Sequence, residues 1–262
     1  MTPGTTTRAL RERALAGERL LGTIVACPDP ALAEVAAARF DFLWIDLEHS
    51  PLTIRDVQTL CIAARAADCP TLVRVGDPAT ELVTVLLDLG VDGVIAPRVE
   101  HPAVAAAFAA SLRYPPHGTR GFAARRATGY GLDGARAAPG EAPLCLIQVE
   151  SSRAVERAGE LARVDGVDGL VIGPNDLALD LGIAQDVAAP ELLAAIDAVR
   201  DAAAEAGVVC GLAAGGPPAA VARALGETAT LLAYSADVRI YSQAIAAAAA
   251  AMTDAWAALP TR

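Results

Sequence analysis

The chain contains no lysine; all 21 of its basic side chains are arginine. A lysine amine is thus missing as a nucleophile, and chemistry that passes through a lysine imine is excluded. Histidine is scarce, with three in 262 residues, and the five cysteines form no CxxC pair. Zinc, which favours clustered histidine and thiolate ligands, has no obvious donor set. Basic charge is also in deficit, with a formal net charge of −10. Nucleic-acid binding needs a basic surface and is not expected. No apolar run approaches the ~20 residues of a membrane span. The N-terminal "MTPGTTTRALRERALAGERLLG" lacks the apolar core of a signal peptide. An odd number of cysteines scattered through apolar segments reads as reduced thiols, mostly small buried hydrophobes, in a cytoplasmic protein.

What the chain has in quantity is short apolar runs alternating with longer amphipathic ones. Strands are predicted at 22–27, 41–47, 71–75, 93–99, 144–149, 169–173, 208–214 and 230–235. They are nearly continuous in Val, Ile, Leu and Ala, the pattern of parallel strands covered on both faces. Helical patterns lie between them, including 78–90, with Pro78 suited to a first turn and Gly90 to a C-terminal cap. The segment 153–164 reads as a single helix, and the Ala-rich stretch 242–259 as a packing helix. Eight strands and no break in composition predict one domain over 1–262, a (β/α)8 TIM barrel. A doubly wound open sheet is the alternative, weakened because no GxGxxG follows the first strand. One connection, 113–143, is long and carries Arg120, Phe122, Arg125, Arg126 and Tyr130 on an otherwise acidic protein. Loops of that length are commonly functional or interfacial.

A barrel builds its site where its strands end. The ionisable residues there are His49, Arg74, Arg98, Glu150 and Asp176, spaced 25, 24, 52 and 26 residues apart. Three of the spacings are one βα unit each, and the fourth contains the long loop. Singly, each has a plain structural reading: Asp176 as a helix-capping acid, Glu150 as a solvated loop acid before the N-cap candidates Ser151 and Ser152, and Arg74 as an ion-pair partner. Together they form a polar ring. Two carboxylates, Glu150 and Asp176, with no lysine to oppose them suit a partly hydrated Mg2+ or Mn2+. His101 reads as a residue at the start of a helix and His117 as a loop residue.

The segments "IDLEHSP", "LVRV", "LLDLGVDGVIAPRV", "RYPPHGTRG", "IQVES" and "GVDGLVIGPNDLALDLG" together resemble the HpcH/HpaI class II 2-oxo-acid aldolase family, of the citrate lyase β-like superfamily, over residues of about 20 to 240. The resemblance implies a metal-dependent barrel that makes or breaks a carbon–carbon bond next to pyruvate. It implies Glu150 and Asp176 as ligands of Mg2+ or Mn2+, with Co2+ as a further option. It implies Arg74 on the pyruvate oxygen, His49 as acid/base, and Asp88 as that histidine's carboxylate partner. Gly173, Pro174 and Asn175 would bind the substrate carboxylate at a helix start, and Asp46 and Glu48 would hold water near the cation. It also implies a homohexamer with a swapped C-terminal helix, and small-molecule partners only: a 2-oxo acid and an aldehyde. Leu47 stands where these aldolases commonly have Gly, and the first strand lacks an aromatic residue some relatives carry. Both departures bear on the aldehyde end of the pocket. A Claisen-type or citrate-lyase-β-like enzyme using an acyl-CoA is the alternative within the superfamily, and a barrel acting only in binding or assembly the alternative outside it.

Overall fold

The computed structural model describes residues 5–132, 142–183 and 185–259. The long connection is therefore described as far as residue 132, and its stretch 133–141 lies outside the described residues. Helix α1 (Thr5–Leu15) precedes β1 (Leu20–Val25), α2 (Pro30–Ala37), β2 (Phe42–Asp46), α3 (Ile54–Ala66), β3 (Thr71–Arg74), α4 (Leu82–Leu89), β4 (Gly93–Ala96) and α5 (Pro102–Ser111). A 3-10 turn at Arg126–Gly131 follows. Next come β5 (Leu144–Val149), α6 (Ser152–Glu156), α7 (Ala158–Ala162), β6 (Gly169–Ile172), α8 (Pro174–Asp180), α9 (Pro190–Ala206), β7 (Val209–Ala214), α10 (Pro218–Leu225), β8 (Leu231–Ala236) and α11 (Asp237–Ala257). The eight strands pair in parallel, in chain order, and β8 closes on β1. The (β/α)8 barrel is what the alternating pattern predicted.

Strand alternation divides the core into two layers. Leu20, Phe42, Trp44, Leu72, Ile95, Leu144, Leu146, Val171, Leu231 and Ala233 fill the barrel interior, and Leu10 and Ala14 of α1 join them. The intervening strand residues, such as Leu43, Ile45, Val73, Val94 and Ile147, meet the surrounding helices. Gly22 is required in β1 because the Phe42 ring occupies the space its side chain would take.

Several predicted boundaries move, each for a local reason. The fourth strand ends at Ala96 because Pro97 has no N–H to donate and Arg98 turns to φ +52. Pro78 is not in a helix: Asp77 accepts N–H bonds from Ala79 and Thr80, and that turn delays α4 to Leu82. Gly90 does cap α4, at φ +80. The single helix expected at 153–164 breaks at Arg157 into α6 and α7. His101 caps α5, its Nδ1 accepting from the Ala103 N–H at 3.2 Å.

Helix α11 buries no residue, and every position from Val238 to Leu259 is exposed, including Tyr241, Ile245, Met252 and Trp256. Against its own barrel it is not the packing helix its composition suggests. Among the described residues no helix is long and apolar enough to cross a membrane.

Candidate active site

The inward-facing rows of β2, β3 and β5 turn polar at their C-terminal ends. On β2 the row runs Phe42, Trp44, Asp46; on β3, Leu72, Arg74; on β5, Leu144, Leu146, Gln148, with Glu150 just beyond. Asp46 and Arg74 lie side by side in the β2–β3 register. The guanidinium donates from Nε to Asp46 Oδ1 at 2.9 Å and from Nη2 to Asp46 Oδ2 at 2.7 Å. Nη1 lies 3.1 Å from Glu48 Oε2 and 3.4 Å from Gln148 Oε1. The Arg74 carbon Cζ also stands 5.7 Å from the Trp44 ring centroid. Arginine has five N–H hydrogens; three are spent in these hydrogen bonds, the Glu48 contact is an ion pair, and one hydrogen remains on each Nη. Burial opposes the charge of Arg74. The Asp46 hydrogen bonds, with the charges of Asp46, Glu48 and Glu150, outweigh that and hold its pKa above the ordinary arginine value.

Asp46 was expected to hold water near a cation. Both of its oxygens instead grip Arg74, and Oδ1 also accepts the Glu48 N–H at 3.0 Å. This fork fixes the orientation of the arginine. Glu48, with a side chain only 3% exposed, is shared between arginines. Its Oε1 accepts from Arg98 Nε at 2.8 Å and Nη2 at 2.5 Å, while its buried Oε2 accepts no hydrogen bond among the described residues. His49 sits at the rim with its side chain 58% exposed and Nε2 3.8 Å from Glu48 Oε2.

Glu150 is buried, which excludes the solvated-loop reading. Oε1 accepts the Arg98 backbone N–H at 2.8 Å and Oε2 accepts from Gln148 Nε2 at 2.5 Å. Gly173 makes room for it, since a Cβ there would fall 2.9 Å from Glu150 Oε2 and 2.7 Å from Gln148 Nε2. Burial pushes the Glu150 carboxyl up to about 7; the Arg98 N–H and Arg74 pull it down, while the charges of Glu48 and Asp176 add to the rise. Asp176 lies in the first turn of α8, exposed, and makes no side-chain cap bond, so the capping role is not taken. The helix start offers fewer donors than expected. The Gly173 N–H is spent on Val149 O, and Pro174 has none, which leaves the N–H groups of Asn175 and Asp176. The N-cap of α6 is Ser151.

Asp88 stands apart from this group. It is the penultimate residue of α4, at the end of the helix that returns toward the opposite face of the barrel. Within the chain its partner is Arg120 of the long connection, at 3.3 Å, and Arg120 in turn lies 4.6 Å over the Tyr114 ring. The sequence reading placed Arg98 near the site without giving it a role, and passed over Gln148. Arg98, with its positive φ, locks Glu48 by its side chain and Glu150 by its backbone. The signal for Gln148 was an amide in an otherwise apolar strand, two residues before Glu150.

Among the described residues no three acidic, histidine or cysteine side chains stand close enough to form a ready metal cage, so a cation here would be met by few protein oxygens and keep open positions for water or substrate. Asp46, Glu48, Glu150 and Asp176 oppose Arg74 and Arg98, leaving two negative charges in excess. Glu48 Oε2 accepts no hydrogen bond among the described residues, although Arg74 lies 3.1 Å away, and Glu150 ionises reluctantly because it is buried and has carboxylate neighbours. The donors are oxygens, which favours a hard cation.

A family model described as HpcH/HpaI aldolase/citrate lyase matches residues 24–244. The chain is 35% identical over 184 residues to a hydroxypyruvate/pyruvate aldolase of Roseobacter denitrificans, covering 69% of this chain and 72% of that one. It is 31% identical over 243 residues to a 2-keto-3-deoxy-L-rhamnonate aldolase of Shigella sonnei, covering 91% of each. Among solved structures, an HpcH/HpaI aldolase/citrate lyase family protein from Burkholderia cenocepacia J2315 superposes with a TM-score of 0.87 at 33% identity, covering 94% of this chain and 99% of that one.

Proposed function

The chain belongs to the HpcH/HpaI aldolase/citrate lyase family, and we propose that it is a divalent-metal-dependent pyruvate aldolase acting on a 4-hydroxy-2-oxo acid or a 2-oxo-3-deoxy sugar acid. The observation that carries this reading is the mouth of the barrel: two uncompensated negative charges beside an arginine held rigid by Asp46. Glu150 and Asp176 would hold Mg2+, Mn2+ or Co2+. When bound, the cation supplies positive charge to a 2-oxo acid and eases the build-up of enolate character.

The residues of the chain do the rest. Arg74 keeps an N–H donor for the substrate and meets the negative charge that grows on the C2 oxygen as the C3–C4 bond breaks. Its fork on Asp46 means that little reorganisation is needed at that moment. His49, exposed at the rim, is placed to take the C4 hydroxyl proton, directly or through water. The electron pair of the broken bond passes to the pyruvate fragment, the aldehyde leaves, and a proton returned to C3 gives pyruvate. The N–H groups of Asn175 and Asp176 are available to the substrate carboxylate.

The same reading includes a homo-oligomer, a hexamer in the form the resemblance suggests. The exposed α11, with its apolar residues uncovered, supports exchange of that helix with another copy. Asp88, paired with Arg120 and set toward the other face, would act beside His49 only from a neighbouring copy. Size by light scattering or native mass spectrometry tests this part.

Candidate 4-hydroxy-2-oxo acids, assayed for pyruvate release with and without EDTA, test the reaction. Release should require Mg2+ or Mn2+ and fail in Glu150→Ala. Release indifferent to both would overturn the proposal, and turnover of an acyl-CoA thioester instead would replace it with a Claisen-type activity.

A further inference from the structure

The ring of inward positions at the barrel mouth is uneven. From β2 to β5 it is filled by Asp46, Arg74, Gln148 and Glu150. On β7 and β8 the corresponding residues are small: Ala213, Gly215 and Ser235. A Cβ on Gly215 would lie 3.6 Å from Ser235 Oγ and 3.6 Å from Arg239 Nη1. A hydroxyl and a guanidinium therefore both stand within van der Waals contact of the place a side chain at Gly215 would take.

Both groups lack a partner among the described residues. Ser235 is only 9% exposed, and its hydroxyl makes no hydrogen bond among the described residues. Its backbone is held at φ +60, an uncommon conformation for serine. Arg239, in the first turn of α11, has no carboxylate partner among the described residues. The nearest acid in sequence, Asp237, is engaged elsewhere, accepting the N–H groups of Ala26, Cys27 and Val238. The loop beside them is fixed, since Tyr234 donates its hydroxyl to Gly216 O at 2.8 Å.

We propose that Gly215, Ser235 and Arg239 form a subsite for a terminal anionic group, carboxylate or phosphate, on the aldehyde half of the substrate. The inference rests on the aldolase reading above. In that reading the pyruvate half lies by Arg74 and Glu150. Strand β6 ends at Ile172, with Gly173 next to it against Glu150, and β7 and β8 follow around the ring. The remainder of the substrate extends toward that sector. The missing side chain at Gly215 leaves both donors uncovered, serine donates one hydrogen bond, and arginine donates a charged pair suited to either group.

The test is aldol addition of pyruvate to matched acceptors: succinic semialdehyde against butanal, and glyceraldehyde 3-phosphate against glyceraldehyde. The wild-type enzyme should prefer the anionic member of at least one pair by about tenfold or more in kcat/KM, mainly through KM. The pair showing the preference distinguishes carboxylate from phosphate. Arg239→Leu should bring that ratio close to one, Arg239→Lys should restore part of it, and Ser235→Ala should lower it less. No anionic preference in either pair, or a preference that survives Arg239→Leu, overturns the subsite. Exchange of the pyruvate methyl protons for deuterium, followed by NMR, separates the two levels. Exchange without anionic preference defeats the subsite alone; no exchange defeats the aldolase reading on which it rests.

Discussion

An arginine–aspartate fork stands at each end of this barrel, and the two are built for different ends. At the base, Arg11 of α1 donates to Asp168 at 2.6 and 3.1 Å, and the Cys145 N–H adds a bond at 3.0 Å. One cation meets one anion, and Leu10 and Ala14 seal the interior beside them. At the mouth, Arg74 grips Asp46 at 2.7 and 2.9 Å, nearly the same geometry. There, however, Glu48, Glu150 and Asp176 crowd in and only Arg98 is added. The base pair is balanced and closes the fold. The mouth holds surplus negative charge in a buried place, a cost to stability that has a use only where a cation and a substrate arrive.

The sharpest way to break the comparison is Glu150→Ala. Aldol activity should fall at least about a thousandfold, while the melting temperature of the cation-free protein should not drop, because a poorly solvated carboxylate has gone. Asp168→Ala should do the reverse. Leaving Arg11 without its partner at the base should cost roughly 3 kcal/mol in urea unfolding, while kcat, measured well below the melting point, changes little.

The surplus charge also predicts a pH dependence. The Glu150 carboxyl titrates near 4.5 when unfolded and is pushed up to about 7 in the fold. Between those values the unfolded chain gives up a proton that the folded protein keeps. Stability of the cation-free protein should therefore fall as pH rises through this window, by at most about 3 kcal/mol. Mg2+ should restore stability above pH 7, and Glu150→Gln should flatten the difference. Melting curves from pH 5 to 8, with EDTA or Mg2+, read this directly. A smaller effect is expected from Arg98→Ala. Its side chain is 67% exposed, so loss of the Glu48 pair should lower kcat/KM by about fivefold or less.

The least effect concerns thiols. Burial pushes Cys61 up to about 11 and Cys69 and Cys210 up to about 12, and raises Cys145 as well. Iodoacetamide at pH 8 should leave these four intact in the native protein. Cys27, half-buried and raised less, should be the first to react, as peptide mass spectrometry would show.

Much of this contrast can be read from the chain before folding is considered. Continuous apolar runs at regular intervals announce parallel strands, and the polar residues that end them point to one face. Glu150 and Arg74 stood out because each interrupts an apolar pattern. Partnerships were harder to read. Glu48 meets Arg98 across 50 residues and Asp88 meets Arg120 across 32; strand order and the return of the long connection bring these pairs together, and no local pattern encodes them. The Asp46–Arg74 fork went unread for the same reason, since its arginine lies on the neighbouring strand. The helix prediction at Pro78 failed on a short turn whose side-chain bond competes with helix initiation.

By itself, the order of residues determined the barrel, the face that carries the site, and the exclusion of lysine chemistry. Those follow from periodicity and from which side chains exist, both local properties. Tertiary structure alone decided that Arg11 and Asp168 balance each other while the mouth keeps surplus negative charge, that Glu150 resists ionisation, and that Ser235 and Arg239 flank Gly215. Charge and hydrogen bonding act through space, over a few ångströms and in a medium set by burial, and only closure of the barrel sets those distances.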